Sequence, residues 1–317
     1  MVPMKYNFNK ETNRAGTDSI KWETIQSAGS PDESEKTERF YGPERALPMW
    51  IADMDFPAPK PVVDALTARA KHGIYGYSGT SEGYATAVQE WMWSRHGWEI
   101  QPEWIVTTPG VVPALAMLAR AFLKPGDKAI VQPPVYYPFY RVLEVNDIEV
   151  VRNPLVYEDG KYRMDFEDLE LKARDPKTKM LILCSPHNPV GRVWKKEELL
   201  RLAEICRAND VLVASDEIHA DLTFKPFVPY GTLGDEFISN AVICTAASKT
   251  FNLAGLGTSN ILIPNKELRD RYAKYLYQNG IHDMSFFGRL ATEIAYTQGG
   301  EWLDQLLDYL TGTLDFM

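Results

Sequence analysis

The sequence predicts an α/β fold, a seven-stranded and mainly parallel sheet with helices on both faces, plus a small, incomplete second domain. Two observations carry that prediction. Short runs rich in β-branched and apolar residues recur along the chain, and the segments between them repeat apolar residues at helical spacing. Strands joined through helices run mostly parallel, and the helices then cover both faces of the sheet.

In chain order, the strand-like runs are WIVTT at 104–108, KAIVQ at 128–132, IEVV at 148–151, MLILC at 180–184, VLVAS at 211–215, AVICT at 241–245 and NILI at 260–263. Between them, Val112 to Leu123 and Lys195 to Asn209 read as amphipathic helices, the second with Leu199, Leu202, Ala203, Ile205 and Cys206 on one side. A further helical pattern covers 286–310. Residues 1 to about 48 are polar and irregular, and the acidic stretch Ser30 to Arg39 reads as a mobile arm or loop that a partner subunit can order. The chain shows no internal repeat and no low-complexity tract.

Composition narrows the function classes. With 317 residues, 45% hydrophobic and 24% charged, the chain is globular and long enough for one large core with an appendage. A net charge of -9 provides no global basic field for nucleic acid or an anionic membrane. Cys184, Cys206 and Cys244 are widely spaced in apolar stretches and read as buried reduced thiols. No apolar run reaches the roughly 20 residues of a membrane helix, and the start MVPMKYNFNKETNR lacks a signal-peptide core, so a cytoplasmic location is expected. His72, His96, His187, His219 and His282 show no metal-binding spacing, and no bound metal is expected.

In a parallel sheet, ligands bind outside the carboxyl ends of the strands, so the residues just past each run are the candidates. They are Gly110, Val111 and Val112 after the first run, Tyr136 and Tyr137 after the second, and Asn188 in SPHNPVG after 180–184. Asp216 and His219 follow 211–215, and Ser248 and Lys249 follow 241–245. Five strands thus end in candidate ligand groups on one rim.

Each group has a chemical use and a plainer alternative. Lys249 offers an amine that can condense with a carbonyl cofactor and act as a base once burial lowers its pKa; otherwise it is a solvated surface lysine. Asp216, after a buried strand, needs a cationic or hydrogen-bonding partner, and a protonated pyridine nitrogen would be one that keeps pyridoxal phosphate electron-withdrawing; it also reads as a helix N-cap. Asn188 can donate to the cofactor's phenolic oxygen or simply form a turn. His219 can reach the same oxygen or orient Asp216, or be a satisfied core histidine. Tyr136, preferred to Tyr137, can stack on the ring or serve core packing. Gly110, Val111 and Val112 open a helix whose amides favour a phosphate, as would any strand-to-helix turn, and Ser248 can add a hydroxyl.

With NPxG, DE and SK in that order, the chain resembles the fold-type I pyridoxal-phosphate enzymes of the aspartate aminotransferase superfamily. More narrowly, MWIADMDFPAP (49–59), GIYGYS (73–78), SPHNPVGRVW (185–194), SDEIHADL (215–222) and SKTFNLAGL (248–256) are similar to the cystathionine β-lyase branch of bacterial carbon-sulfur lyases, the MalY/PatB type. The resemblance spans essentially the whole chain. It implies pyridoxal 5'-phosphate as cofactor, Lys249 as its attachment lysine, Asp216 as the pyridinium partner, Asn188 and His219 near the phenolic oxygen, and Tyr136 as the stacking ring. It further implies a homodimer with shared active sites in which Tyr77 reaches the neighbouring subunit's cofactor phosphate. The implied organisation is an N-terminal arm and small-domain segment over 1–52, a large cofactor-binding domain over 53–280, and the start of a truncated small domain over 281–317.

Two departures from the resemblance stand out. The position of a phosphate-holding arginine in many aminotransferases is taken here by Gly257, leaving phosphate to backbone, Ser248 and tyrosine donors. The family's small domain and its substrate-carboxylate arginine would follow residue 310, so a truncated chain with exposed apolar surface on 286–310 and impaired activity is expected. Trp50, Ala52 and Asp53 are then the candidates for contacting a substrate carboxylate through their backbone. The expected reaction is β-elimination on cystathionine or another cysteine S-conjugate, giving thiol, pyruvate and ammonia. The alternatives are aminotransfer, or a non-catalytic regulatory protein on the same fold.

Overall fold

The protein is described by a computed structural model, which covers residues 5–14, 16–23, 48–281 and 284–316. The acidic stretch Ser30 to Arg39 lies outside the described residues. Nine strands occur among them: β1 (Ile105–Thr108), β2 (Lys128–Val131), β3 (Glu149–Arg152), β4 (Val156–Glu158), β5 (Lys161–Arg163), β6 (Thr178–Cys184), β7 (Leu212–Asp216), β8 (Ala241–Thr245) and β9 (Ser259–Leu262). All seven runs expected from the sequence enter one sheet, in the order β1-β9-β8-β7-β6-β2-β3. Strand β9 runs antiparallel to β1 and to β8, and the other neighbours are parallel.

The sheet alternates its side chains between two cores, as a pleated strand must. From β6, Leu181 and Leu183 join one cluster with Trp91, Phe251 and Trp302. Met180, Ile182 and Cys184 face the opposite cluster, with Leu115, Phe139 and Tyr272. Every residue of β7 and β8 is buried, because helices cover both faces. Helices Val111–Phe122 and Lys196–Ala208 match the two amphipathic segments to within a residue at each end.

Three features differ from the sequence expectation. The hairpin β4–β5 was not anticipated; Asp159 and Gly160 both take positive φ, 48° and 73°, which suits a tight two-residue turn pairing Tyr157 with Tyr162. The helical pattern at 286–310 is two helices, Phe286–Gln298 and Gly300–Phe316, meeting at Gly299. A Cβ there would lie 2.4 Å from the Ala295 carbonyl oxygen and 2.6 Å from the Phe251 ring, so only glycine fits the joint. Finally, the stretch read as polar and irregular places one side chain in the core: Phe8 is buried, with its ring edge-on to Phe56 and Trp302. No helix among the described residues is long and apolar enough to cross a membrane.

Candidate active site

The carboxyl ends of β6, β7 and β8 converge because their register aligns Cys184, Asp216 and Cys244 side by side. Beyond β8 the chain makes a single helical turn, Ala247–Thr250, which carries half-buried Ser248 and Lys249 over the rim. Lys249 Nζ donates to the Ala52 carbonyl oxygen at 2.7 Å. Burial lowers its pKa below the usual lysine range, opposed by the charges of Asp53 and Asp216. The lysine is therefore held in a partly desolvated place within the electrostatic reach of two carboxylates.

Asp216 ends β7 and is 5% exposed. Burial pushes its carboxyl up to about 7, against the Ile218 N–H, which donates to Oδ1 at 3.2 Å, and the charge of Lys249. It caps no helix: residues 218–221 form a turn. His219, on that turn, is lowered to about 4 by burial and secondarily by Lys249, so its imidazole is neutral at pH 7. Tyr136 is half-buried; burial raises its pKa, and the nearby Tyr137, Asp216 and Cys184 add to the rise. Tyr137, by contrast, is 72% exposed, which favours Tyr136 as the ring that faces the rim. Asn188 is half-buried and its backbone N–H donates to Cys184 Sγ at 3.3 Å, tying the SPHNP loop to the end of β6.

Gly110 caps the helix Val111–Phe122 with φ 154° and ψ 164°, leaving the first amides of that helix free of intrahelical partners. Beside it, Gly257 takes φ 56°, and a Cβ there would approach the Pro109 carbonyl oxygen to 3.3 Å. Tyr77 stands apart from this group, fully exposed, beside a cleft lined by Tyr75, Phe286, Phe287 and Arg289.

The strap 50–56 crosses above Lys249, and here the structure adds residues that the sequence did not single out. Arg14 holds Asp53 through two bonds, of 2.9 and 2.8 Å, and reaches Asp55 Oδ1 at 3.0 Å. Lys21 Nζ donates to Asp55 Oδ2 at 2.7 Å and to the Asp53 carbonyl at 3.1 Å, and Trp22 Nε1 donates to Asp55 Oδ1 at 2.7 Å. Burial alone raises Asp55, but the bonds from Lys21, Trp22 and Arg14 outweigh it and hold the carboxyl below its usual range. Asp53 was expected to contact substrate through its backbone; its carboxylate is engaged by Arg14 and its carbonyl by Lys21, which leaves its N–H. Trp50 Nε1 donates to the Lys21 carbonyl at 3.3 Å, fastening the other end of the strap. Asn252 bonds three backbone groups of Met54 and Phe56.

A lysine, a buried carboxylate, a half-buried aromatic ring and a helix N-terminus on one rim of a mainly parallel sheet define a class of cofactor-dependent enzymes. The chain belongs to the aminotransferase class I and II family, which matches residues 51–293. It is similar to cystathionine beta-lyase PatB of Bacillus subtilis (strain 168), with 46% identity over 306 residues, 96% of this chain and 76% of that protein. Among solved structures it is similar to cystalysin from Treponema denticola, which contains a pyridoxal 5'-phosphate cofactor (TM-score 0.85, 34% identity, 96% of this chain and 75% of that one). It is similar also to the pyridoxal-phosphate-bound C-S lyase from Staphylococcus hominis (TM-score 0.85, 30% identity, 99% and 76%).

The residues present fit that cofactor. A buried carboxylate with its pKa raised to about 7 by desolvation is stabilised by a cationic N–H donor, which a protonated pyridine supplies. The lysine and the uncapped helix amides supply the complementary partners for an aldehyde and a phosphate.

Proposed function

We propose that the chain is a pyridoxal-5'-phosphate-dependent carbon-sulfur β-lyase that cleaves cystathionine or another cysteine S-conjugate to thiol, pyruvate and ammonia. The observation that carries this reading is Lys249: its amine, partly desolvated, lies at 2.7 Å from the strap carbonyl of Ala52 and within the electrostatic reach of Asp216. The similarity to PatB over 96% of the chain supports elimination over the other reactions of the family.

When bound, pyridoxal phosphate supplies an electron-withdrawing ring for the negative charge left at a substrate's Cα. Asp216 holds the proton on the ring nitrogen. Tyr136 would cover one face of the ring, and Asn188 and neutral His219 would lie toward its phenolic oxygen. The amides of Gly110, Val111 and Val112, with the Ser248 hydroxyl, hold the phosphate. Lys249 Nζ takes the proton from the substrate Cα, a role suited to an amine whose pKa burial has lowered. The backbone of Trp50, Ala52 and Asp53 borders the side on which the substrate carboxylate lies.

The active assembly is a cytoplasmic homodimer. The exposure of Tyr75, Tyr77 and Ile74 on one segment supports a subunit contact there, and three buried free cysteines suit a reducing compartment. The family's description also motivates aminotransfer. The two reactions separate with alanine, which has no β-leaving group: elimination requires that alanine and a keto-acid acceptor yield no exchange while cystathionine yields pyruvate without an acceptor. Acceptor-dependent pyruvate from alanine, with none from cystathionine, would establish aminotransfer instead.

A further inference from the structure

The turn that carries Lys249 and the strap above it are far apart in sequence and are joined through two side chains, Lys249 itself and Asn252. Asn252 Nδ2 donates to the Met54 carbonyl at 2.9 Å and to the Phe56 carbonyl at 3.0 Å, and Oδ1 accepts from the Met54 N–H at 3.1 Å. Both amide donors and the acceptor are thus spent on backbone 196–198 positions away. Residues 50–56 contain no helix or strand, so the polar groups of this backbone draw on side chains for their partners. On its other flank the same turn is held by Thr250 Oγ1, which donates to Asp221 Oδ2 at 2.6 Å, while Asp221 also accepts from Trp91 Nε1 and pairs with His96 Nε2.

The backbone of Asn252 has φ 58°, in the left-handed region that asparagine, aspartate and glycine all tolerate. Conformation alone therefore admits three residue types, whereas three simultaneous bonds to the strap require an amide. Two carbonyls and one N–H of the strap match one acceptor and two donors, a pattern that a carboxylate cannot reproduce.

We propose that Asn252 is a positioning residue for the reaction: it sets the height of the 52–56 strap over Lys249 and thereby the place of the substrate's carboxylate side. The proposal rests on the function given above. It acts through Ala52, whose carbonyl receives Lys249 Nζ, and through the neighbouring strap backbone. A strap that drifts by a fraction of an ångström misplaces the substrate without dismantling the cofactor cradle on the opposite side.

Asn252→Gly and Asn252→Asp test this, because both keep the left-handed conformation and both lose the two donors. With the cofactor-saturated full chain and L-cystathionine, KM should rise about tenfold while kcat changes by less than about threefold in each variant. In the cofactor-free full chain, hydrogen exchange at the Met54 amide should quicken in Asn252→Gly, with protection in β7 and β8 unchanged. If the residue serves only its own backbone conformation, KM and Met54 exchange will match the wild type in both variants, which overturns the proposal. Loss of protection throughout β7 and β8 in both variants overturns it too, since the role would then be general stability. The exchange readout needs no turnover: absence of pyruvate from the wild type sinks the lyase function, and the Met54 result still decides this inference.

Discussion

Replacing Asp216 by Asn changes one buried charge and little volume, and its effect has opposite signs with and without cofactor. In the cofactor-free chain the carboxyl is raised from 3.8 to about 7, first by burial. Below pH 4 it is protonated whether folded or unfolded and contributes nothing. Between pH 4 and 7 the unfolded chain ionises while the folded one keeps its proton, so stability falls as pH rises. Above pH 7 the loss is complete and amounts to roughly 4 kcal/mol. Asparagine carries no such penalty. Thermal unfolding of the cofactor-free proteins should coincide near pH 4 and diverge by pH 8, with Asp216→Asn melting roughly 5 to 10 °C higher for a chain of this size. Glu217, pushed up to about 8 by burial, gives a parallel slope in both proteins, slightly smaller in the variant because Asp216 contributes to that shift. Saturating pyridoxal phosphate at pH 8 should then stabilise the wild type by more than the variant, because only the carboxylate gains a cationic partner. Parallel pH curves for the two cofactor-free proteins would refute the burial-raised carboxyl, and equal gains on adding cofactor would refute the pairing of Asp216 with the ring nitrogen.

Three further outcomes follow from the same geometry. Tyr136→Ala should weaken cofactor affinity about tenfold and Tyr136→Phe by less than about twofold, read by absorbance titration, since in the proposed site the ring face rather than the hydroxyl would make the contact. Asp221→Ala strands the Trp91, His96 and Thr250 partners in a buried place and should cost roughly 3 kcal/mol in urea unfolding. Gly231→Ala would put a Cβ 2.1 Å from the Trp98 ring and should lower stability by about 2 kcal/mol in the same assay.

The sheet was legible because each strand announces itself locally: runs such as MLILC and AVICT are buried along their whole length and need no distant information. The rim groups were legible for a related reason, since the residue after each such run falls at the strand's carboxyl end once the strands are parallel. The hairpin at 156–163 left a visible signal, Asp159-Gly160 between short polar strands, but an exposed burial pattern gives it no hydrophobic run. The strap contacts left none. Arg14 and Asp53 are 39 positions apart and Asn252 and Met54 are 198 apart, and nothing in the spacing of either pair records their meeting. Asn252 could have been marked only as an asparagine suited to a left-handed turn, a weaker statement than the three bonds it makes.

Lys249 is the residue on which the proposed function turns, and its test is product formation with and without its amine. The purified chain, saturated with pyridoxal phosphate and given L-cystathionine, should release pyruvate and ammonia in equal amounts, and Lys249→Ala should reduce that release by about a thousandfold or more. Pyruvate production that survives the substitution, or that never appears in the wild type under the same conditions, would contradict the assignment of this chain as a β-lyase working through Lys249.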